Sequence, residues 1–173
     1  MNVKIKYHDE KMPKLEKIAK GNWIDVRAVE GGTLTRNGVK MDAPWEMEEI
    51  VELGEVVGHK KVLRYKVGDF LMINLGISIA PPDGWEVYLA PRSSTYKNYG
   101  LIQTNSWGIG DDSFRGNKDI YHQPFFATRD GVIELYDRIG QFRIQETMPE
   151  LTLEEVDDTG YDDRGGFGST GKR

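Results

Sequence analysis

Cysteine is absent from the 173 residues, which excludes disulfides, thiolate metal sites and a cysteine nucleophile. Histidine is scarce: His8, His59 and His122 lie far apart, without the spacing that puts two imidazoles on one metal, so no zinc site is expected. Long apolar runs are missing, and the N-terminal MNVKIKYHDE lacks the hydrophobic block of a signal peptide. The expectation is a soluble cytoplasmic protein with no membrane association. A basic excess is missing too. The formal charge of −5 argues against direct nucleic-acid binding through bulk electrostatics. It still permits a local cationic pocket, because the acids concentrate in 46–55 and 150–163, while Arg92, Arg138, Arg143, Arg164, Lys172 and Arg173 fall elsewhere or beside glycines.

Helical periodicity is also sparse. Short segments rich in Val, Ile, Tyr and Trp alternate with clusters of Gly, Pro, Asn and Asp, a pattern that predicts an all-β sandwich or jelly roll. The length suits one domain. Strands are predicted near 3–7, 23–28, 70–80, 85–92, 101–107, 121–128 and 131–144. Pro81-Pro82-Asp83-Gly84 reads as a turn joining two of them as a hairpin. In PWEMEEIVELGEVV, 44–57, Trp45, Glu48, Glu49 and Glu52 recur among apolar residues at roughly helical spacing, which predicts a short helix. From Thr159 the chain is mostly Gly, Asp and Ser, too polar to order itself in isolation.

Three stretches could carry chemistry. The Gly-rich end holds Arg164, Ser169 and Thr170, which can wrap amides and hydroxyls around phosphate oxygens, and Phe167, whose free face suits a base. It lacks the GxxxxGK[ST] spacing of a Walker loop, and an unstructured hydrophilic terminus would read the same. In Ala90-Pro91-Arg92-Ser93-Ser94 a guanidinium and two hydroxyls follow an apolar strand, where they can face an anion or cap their own backbone. Between Asn105 and Gly116, glycines bracket Asp111, Asp112 and Phe114; this is either a hairpin holding an acid and a ring at fixed separation or a solvated turn.

Taken in order, five short motifs resemble those of the trimeric deoxyuridine triphosphatase (dUTPase) family. They are Trp23-Ile24-Asp25-Val26-Arg27-Ala28, Pro91-Arg92-Ser93-Ser94, the run from Gly108 to Gly116, Asp137-Arg138-Ile139-Gly140-Gln141, and Gly165-Gly166-Phe167-Gly168-Ser169-Thr170-Gly171. The wording looks similar to that of members from Gram-positive bacteria and their phages. There are departures. The family usually has a bulky aliphatic where Gly110 stands, an acid at Ser113 and a tyrosine at Phe114, and glycine at 110 adds backbone freedom. The fifth-motif arginine usually lies two residues further from the phenylalanine than Arg164 does. The span from Asp25 to Arg92 is longer than usual, which points to an insertion at about 36–64 that contains the predicted helix.

The resemblance implies a dUTPase-type β-barrel or jelly roll over 1–158 and a flexible arm at 159–173 that closes the site. It implies hydrolysis of dUTP to dUMP and pyrophosphate, with Asp111 as general base for a water attacking the α-phosphorus. Asn105, Gly108, Ile109, Phe114 and Phe167 would hold base and sugar, while Arg92, Ser93, Ser94, Gln141, Arg164, Ser169 and Thr170 would hold phosphates. Mg²⁺ would ride on the triphosphate, with Asp25 in its outer shell through water. A homotrimer with sites shared between subunits is the implied assembly. Two other readings remain: a dCTP deaminase-like enzyme, for which the only acids in the hairpin are Asp111 and Asp112, and a phage regulatory protein binding a partner through the insertion.

Overall fold

The computed structural model describes residues 1–163 and Gly165, so the expectations for Arg164, Phe167, Ser169 and Thr170 lie outside the described residues. Strands β1 (Lys4–Tyr7), β2 (Ile24–Arg27), β3 (Val29–Arg36), β4 (Val39–Asp42), β5 (Trp45–Glu52), β6 (Glu55–Tyr65), β7 (Phe70–Asn74), β8 (Ile77–Ala80) and β9 (Trp85–Pro91) precede a short helix, α1 (Thr95–Tyr99). Then come β10 (Leu101–Gln103), β11 (Gly108–Gly110), β12 (His122–Ala127), β13 (Gly131–Glu134) and β14 (Arg138–Glu146). The sheets run β1-β8, β10-β12-β7-β3-β4, β11-β9-β14-β2 and β13-β6-β5. Every pairing is antiparallel, and the all-β jelly-roll architecture expected from the sequence is present.

Period-2 burial makes the core. Leu71 and Ile73 of β7, Val87 and Leu89 of β9, and Ile133 of β13 turn inward while their neighbours stay more exposed. They join Val26, Leu63, Phe125, Ile139 and Phe142 in one apolar cluster.

Four local expectations need correction. The segment 44–57 is not helical: Trp45–Glu52 and Glu55–Tyr65 form the β5–β6 hairpin, closed by Leu53 (φ 50°) and Gly54 (φ 86°). Two consecutive positive φ values define a two-residue turn matched to strand twist, and the ladder that follows satisfies more backbone groups than two helical turns could. Pro81-Pro82-Asp83-Gly84 is a turn but closes no hairpin, because β8 pairs with β1 while β9 pairs with β11 and β14. For 105–116 the hairpin reading gives way to the solvated turn: β11 pairs with β9, and turns lie on both sides of it. Finally, 70–80 and 131–144 are each two strands. Gly76 (φ 63°) and Tyr136 (φ 70°) fall in the respective breaks.

Candidate active site

Two pockets gather residue sets that the sequence singled out. One, of about 430 Å³, is lined by Asp25, Arg92, Ser93 and Gln141, with Trp23, Arg138 and the 14–22 loop completing it. Strand pairing explains the grouping: Gln141 of β14 faces Asp25 of β2 on one side and Ala90 of β9 on the other, and Arg92 follows two residues after Ala90. A bulge between Arg138 and Gly140 leaves Ile139 buried and Arg138 exposed.

Within this pocket Asp25 organises two cations. Arg92 Nε lies 2.9 Å from one carboxylate oxygen and Arg138 Nη1 lies 3.2 Å from the other. Beneath them the buried Thr95 hydroxyl accepts from the Arg92 amide (2.9 Å) and donates to the Ile139 carbonyl (3.0 Å), tying the second motif to the fourth. Gln141 Nε2 donates to the Pro91 carbonyl at 3.1 Å, which leaves Oε1 as an acceptor. Lys14, Lys20, Arg27, Arg92 and Arg138 outnumber Glu16 and Asp25 on the lining, so the pocket favours an anion although the chain is acidic overall. Ser94 is not on that lining; it occupies the N-cap position of α1 without a side-chain capping bond.

The second pocket, of about 300 Å³, brings together Asn105, Gly108, Ile109 and Phe114, joined by Leu89, Tyr121 and His122. Among the described residues none lines both pockets. Asp111 is exposed in the turn between Gly110 and Phe114, whose amide donates to the Asp111 carbonyl at 3.1 Å. Its Oδ1 accepts from the Ser113 hydroxyl (2.5 Å) and the Ser113 amide (2.9 Å). Those bonds, the hydroxyl first, hold the carboxyl below its ordinary range, because they stabilise the charged form.

Gly110 is not the loose point that its residue type suggests. It pairs with Val87, its φ is not positive, and a Cβ there would overlap the Tyr121 hydroxyl. The Tyr121 ring thus occupies the space that a bulky side chain at 110 would need. It also meets the Phe114 ring edge-on, centroids 5.1 Å apart at 84°, and donates to the Phe114 carbonyl at 3.3 Å. Burial pushes the Tyr121 phenol up, keeping it a neutral donor.

Sequence reasoning missed Tyr121, Trp23 and Arg138 as site residues. Arg138 stands inside the fourth motif and was legible from it. Trp23 stacks at 6.0 Å on Trp107 and lies under Arg143, contacts between segments remote in sequence. Among the described residues no three His, Asp or Glu side chains cluster to cage a metal ion.

An all-β jelly roll with one cationic pocket and one aromatic-lined pocket has the layout of a nucleotide-handling enzyme. No family model matches the chain. It is 39% identical over 173 residues, all of both chains, to the SPbeta prophage-derived deoxyuridine 5'-triphosphate nucleotidohydrolase of Bacillus subtilis. Among solved structures, a mutant dUTPase from phage 80alpha matches with a TM-score of 0.66 at 13% identity, covering 97% of this chain and 98% of that one. A mutant dUTPase from phage phi11 of S. aureus, described as coordinating a structural Mg(II) ion, matches with a TM-score of 0.63 at 11% identity, covering 93% and 100%. The chain belongs to the deoxyuridine triphosphatase family.

Proposed function

We propose that the protein is a dUTP diphosphatase, hydrolysing dUTP to dUMP and pyrophosphate in the cytoplasm of a bacterial cell. The reaction limits uracil in DNA and supplies dUMP for thymidylate synthesis. The observation that carries this reading is the sorting of residues: Asn105, Gly108, Ile109 and Phe114 around one pocket, Asp25, Arg92, Ser93 and Gln141 around another. The first set takes base and deoxyribose. Phe114 lies against the sugar and leaves no room for a 2′-hydroxyl. The second takes phosphates, with Ser94 at its margin.

Asp111 accepts a proton from the water whose oxygen bonds to the α-phosphorus, while the bond from that phosphorus to the bridging oxygen breaks and pyrophosphate leaves. Since Ser113 occupies Oδ1, the other carboxylate oxygen is the base. Mg²⁺ fits this donor set in one way. With no carboxylate cage among the described residues, the ion would be held by the triphosphate and water, and Asp25 and Gln141 Oε1 are hard oxygen groups suited to its outer shell. When bound, it would supply neutralisation of the charge on the phosphate oxygens.

The family resemblance implies a homotrimer with sites shared between subunits, and the separation of the two pockets among the described residues supports it: each subunit gives its base pocket to one site and its phosphate pocket to another. The domain spans 1–158, and the arm 159–173 closes over the site with Arg164, Phe167, Ser169 and Thr170. Pyrophosphate release with dUTP, dTTP, dCTP and UTP is the test. Turnover confined to dUTP supports the reading; conversion of dCTP to dUTP would move the chain to the deaminase reading instead.

One observation favours an additional regulatory role. Beyond Lys61, β6 loses its β13 partner, and the β5–β6 hairpin projects with Met47, Val51, Leu53, Val56 and Val57 exposed. A protein partner binds there. Joining Glu48 to Lys60 through Asn-Gly removes the projection; hydrolysis should persist while partner binding disappears.

A further inference from the structure

Two buried glutamines play no part in the scheme above. Gln123 is fully buried and Gln103 is 7% exposed, and an amide in an apolar core is retained only when its hydrogen bonds are arranged for it. Gln123 Nε2 donates to Gln103 Oε1 at 2.6 Å, and Gln103 Nε2 donates to Asn105 Oδ1 at 2.9 Å.

Backbone carbonyls fix the direction of this relay. Gln103 Nε2 stands 3.3 Å from the Leu89 carbonyl and 3.4 Å from the Ser106 carbonyl, and a carbonyl oxygen can only accept. The NH₂ end of Gln103 must therefore face them. Its Oε1 then has to accept from Gln123, and Asn105 has to offer Oδ1 to Gln103. Nδ2 is the group of Asn105 left for the pocket. It lies 3.6 Å from where a side chain on Gly108 would begin, and both residues line that pocket.

The far end of the relay bears the mark of this constraint. Gln123 Oε1 is the one buried side-chain oxygen without a hydrogen-bond partner among the described residues, and it packs against Gly140, where any Cβ would overlap it. Turning the Gln123 amide over would set two carbonyl oxygens against each other at the 2.6 Å now spanned by a hydrogen bond. The lone acceptor follows from a direction imposed at Leu89 and Ser106.

We propose that Gln103 and Gln123 are positioning residues that hold Asn105 as a hydrogen-bond donor toward the base. A pyrimidine with a carbonyl at that place is accepted, and one with an amino group meets donor against donor. The proposal deepens the functional reading and rests on Asn105 facing the base.

Gln103→Glu tests it. A carboxylate cannot donate to Asn105 Oδ1, so the Asn105 amide turns over and offers its oxygen to the base. The ratio of kcat/KM for dUTP over dCTP should fall by about tenfold or more, chiefly through a higher KM for dUTP. Gln103→Met, which removes the amide at similar length, should lower the ratio less. An unchanged ratio in either folded variant overturns the proposal. Should neither variant fold, NMR of the unmodified protein decides. The Gln103 and Gln123 side-chain amide protons should exchange slowly, and the Asn105 Nδ2 protons should shift with dUMP and not with dCMP; freely exchanging glutamine amides overturn the relay. Asn105→Asp separates the two layers. If it leaves the ratio unchanged, Asn105 does not read the base; if it changes the ratio while Gln103→Glu does not, only the relay fails.

Discussion

Arg92 and Asp25 are joined at 2.9 Å between Nε and Oδ1, and Arg138 takes the other oxygen of the same carboxylate at 3.2 Å. One acid thus aims two guanidiniums. Asp25→Asn keeps the shape but removes the charge, so kcat/KM for dUTP should fall about tenfold or more, as is usual when a charge-assisted contact is lost. Steady-state pyrophosphate release measures it, and an unchanged value would show that the arginines orient without Asp25.

Asp111→Asn should reduce kcat by on the order of 10²–10⁴ with little change in nucleotide affinity, the signature of a lost general base. Near-full activity would shift attention to Asp112.

The acid limb of the pH profile carries a sign. Ser113 holds the Asp111 carboxyl below its usual range, so the ionised base persists to lower pH than an ordinary aspartate allows. Ser113→Ala should raise that pKa and move the acid limb of kcat/KM upward, so that activity is lost earlier as pH falls. A limb that stays in place would separate Asp111 from the ionisation that limits the rate.

Phe114 and Gly110 answer to Tyr121. Phe114→Ala should raise UTP use relative to dUTP, since the ring no longer excludes a 2′-hydroxyl. Gly110→Val should destabilise the fold by about 1–3 kcal/mol, because its side chain must displace the buried Tyr121 ring. Thermal unfolding of Gly110→Val, of Tyr121→Ala and of the double variant tests this: Gly110→Val should cost less in the Tyr121→Ala background than in the wild-type chain.

Chains ending at Asp158 should keep their association and most of their thermal stability yet lose most activity, as the arm would no longer enclose the phosphates. Refolded together with Asp111→Asn chains, they should regain a fraction of wild-type activity through sites that take the base from one subunit and the arm from another. Mixed trimers without activity would place base and arm on the same chain.

Alternation made most strands legible, and it also misled. In 44–57 the acids and apolar residues imitate a helical face, but the strand β6 that pairs with this segment is buried only at its far end, around Val62 and Leu63, and nothing local reveals that. Asn37-Gly38, with φ of 50° and 78°, is a direct hairpin signal for β3–β4 in the sequence itself. At the site, the contiguous motifs led to most of their residues, Trp23 and Arg138 excepted, whereas Tyr121, Gln103 and Gln123 lie outside every motif. Each acts through a contact with another segment, and on a strand a buried glutamine leaves the same trace as any core position.

The eleven residues of β6 serve two masters: Val62 and Leu63 are clasped between β5 and β13, Arg64 and Tyr65 pair with β13 alone, and 55–61 pair with β5 alone. Length can therefore be added or removed at the Leu53-Gly54 end without touching a core side chain. That tip is the natural port for a fluorophore, an affinity handle or a surface tether, attached where the catalytic pockets would not sense it.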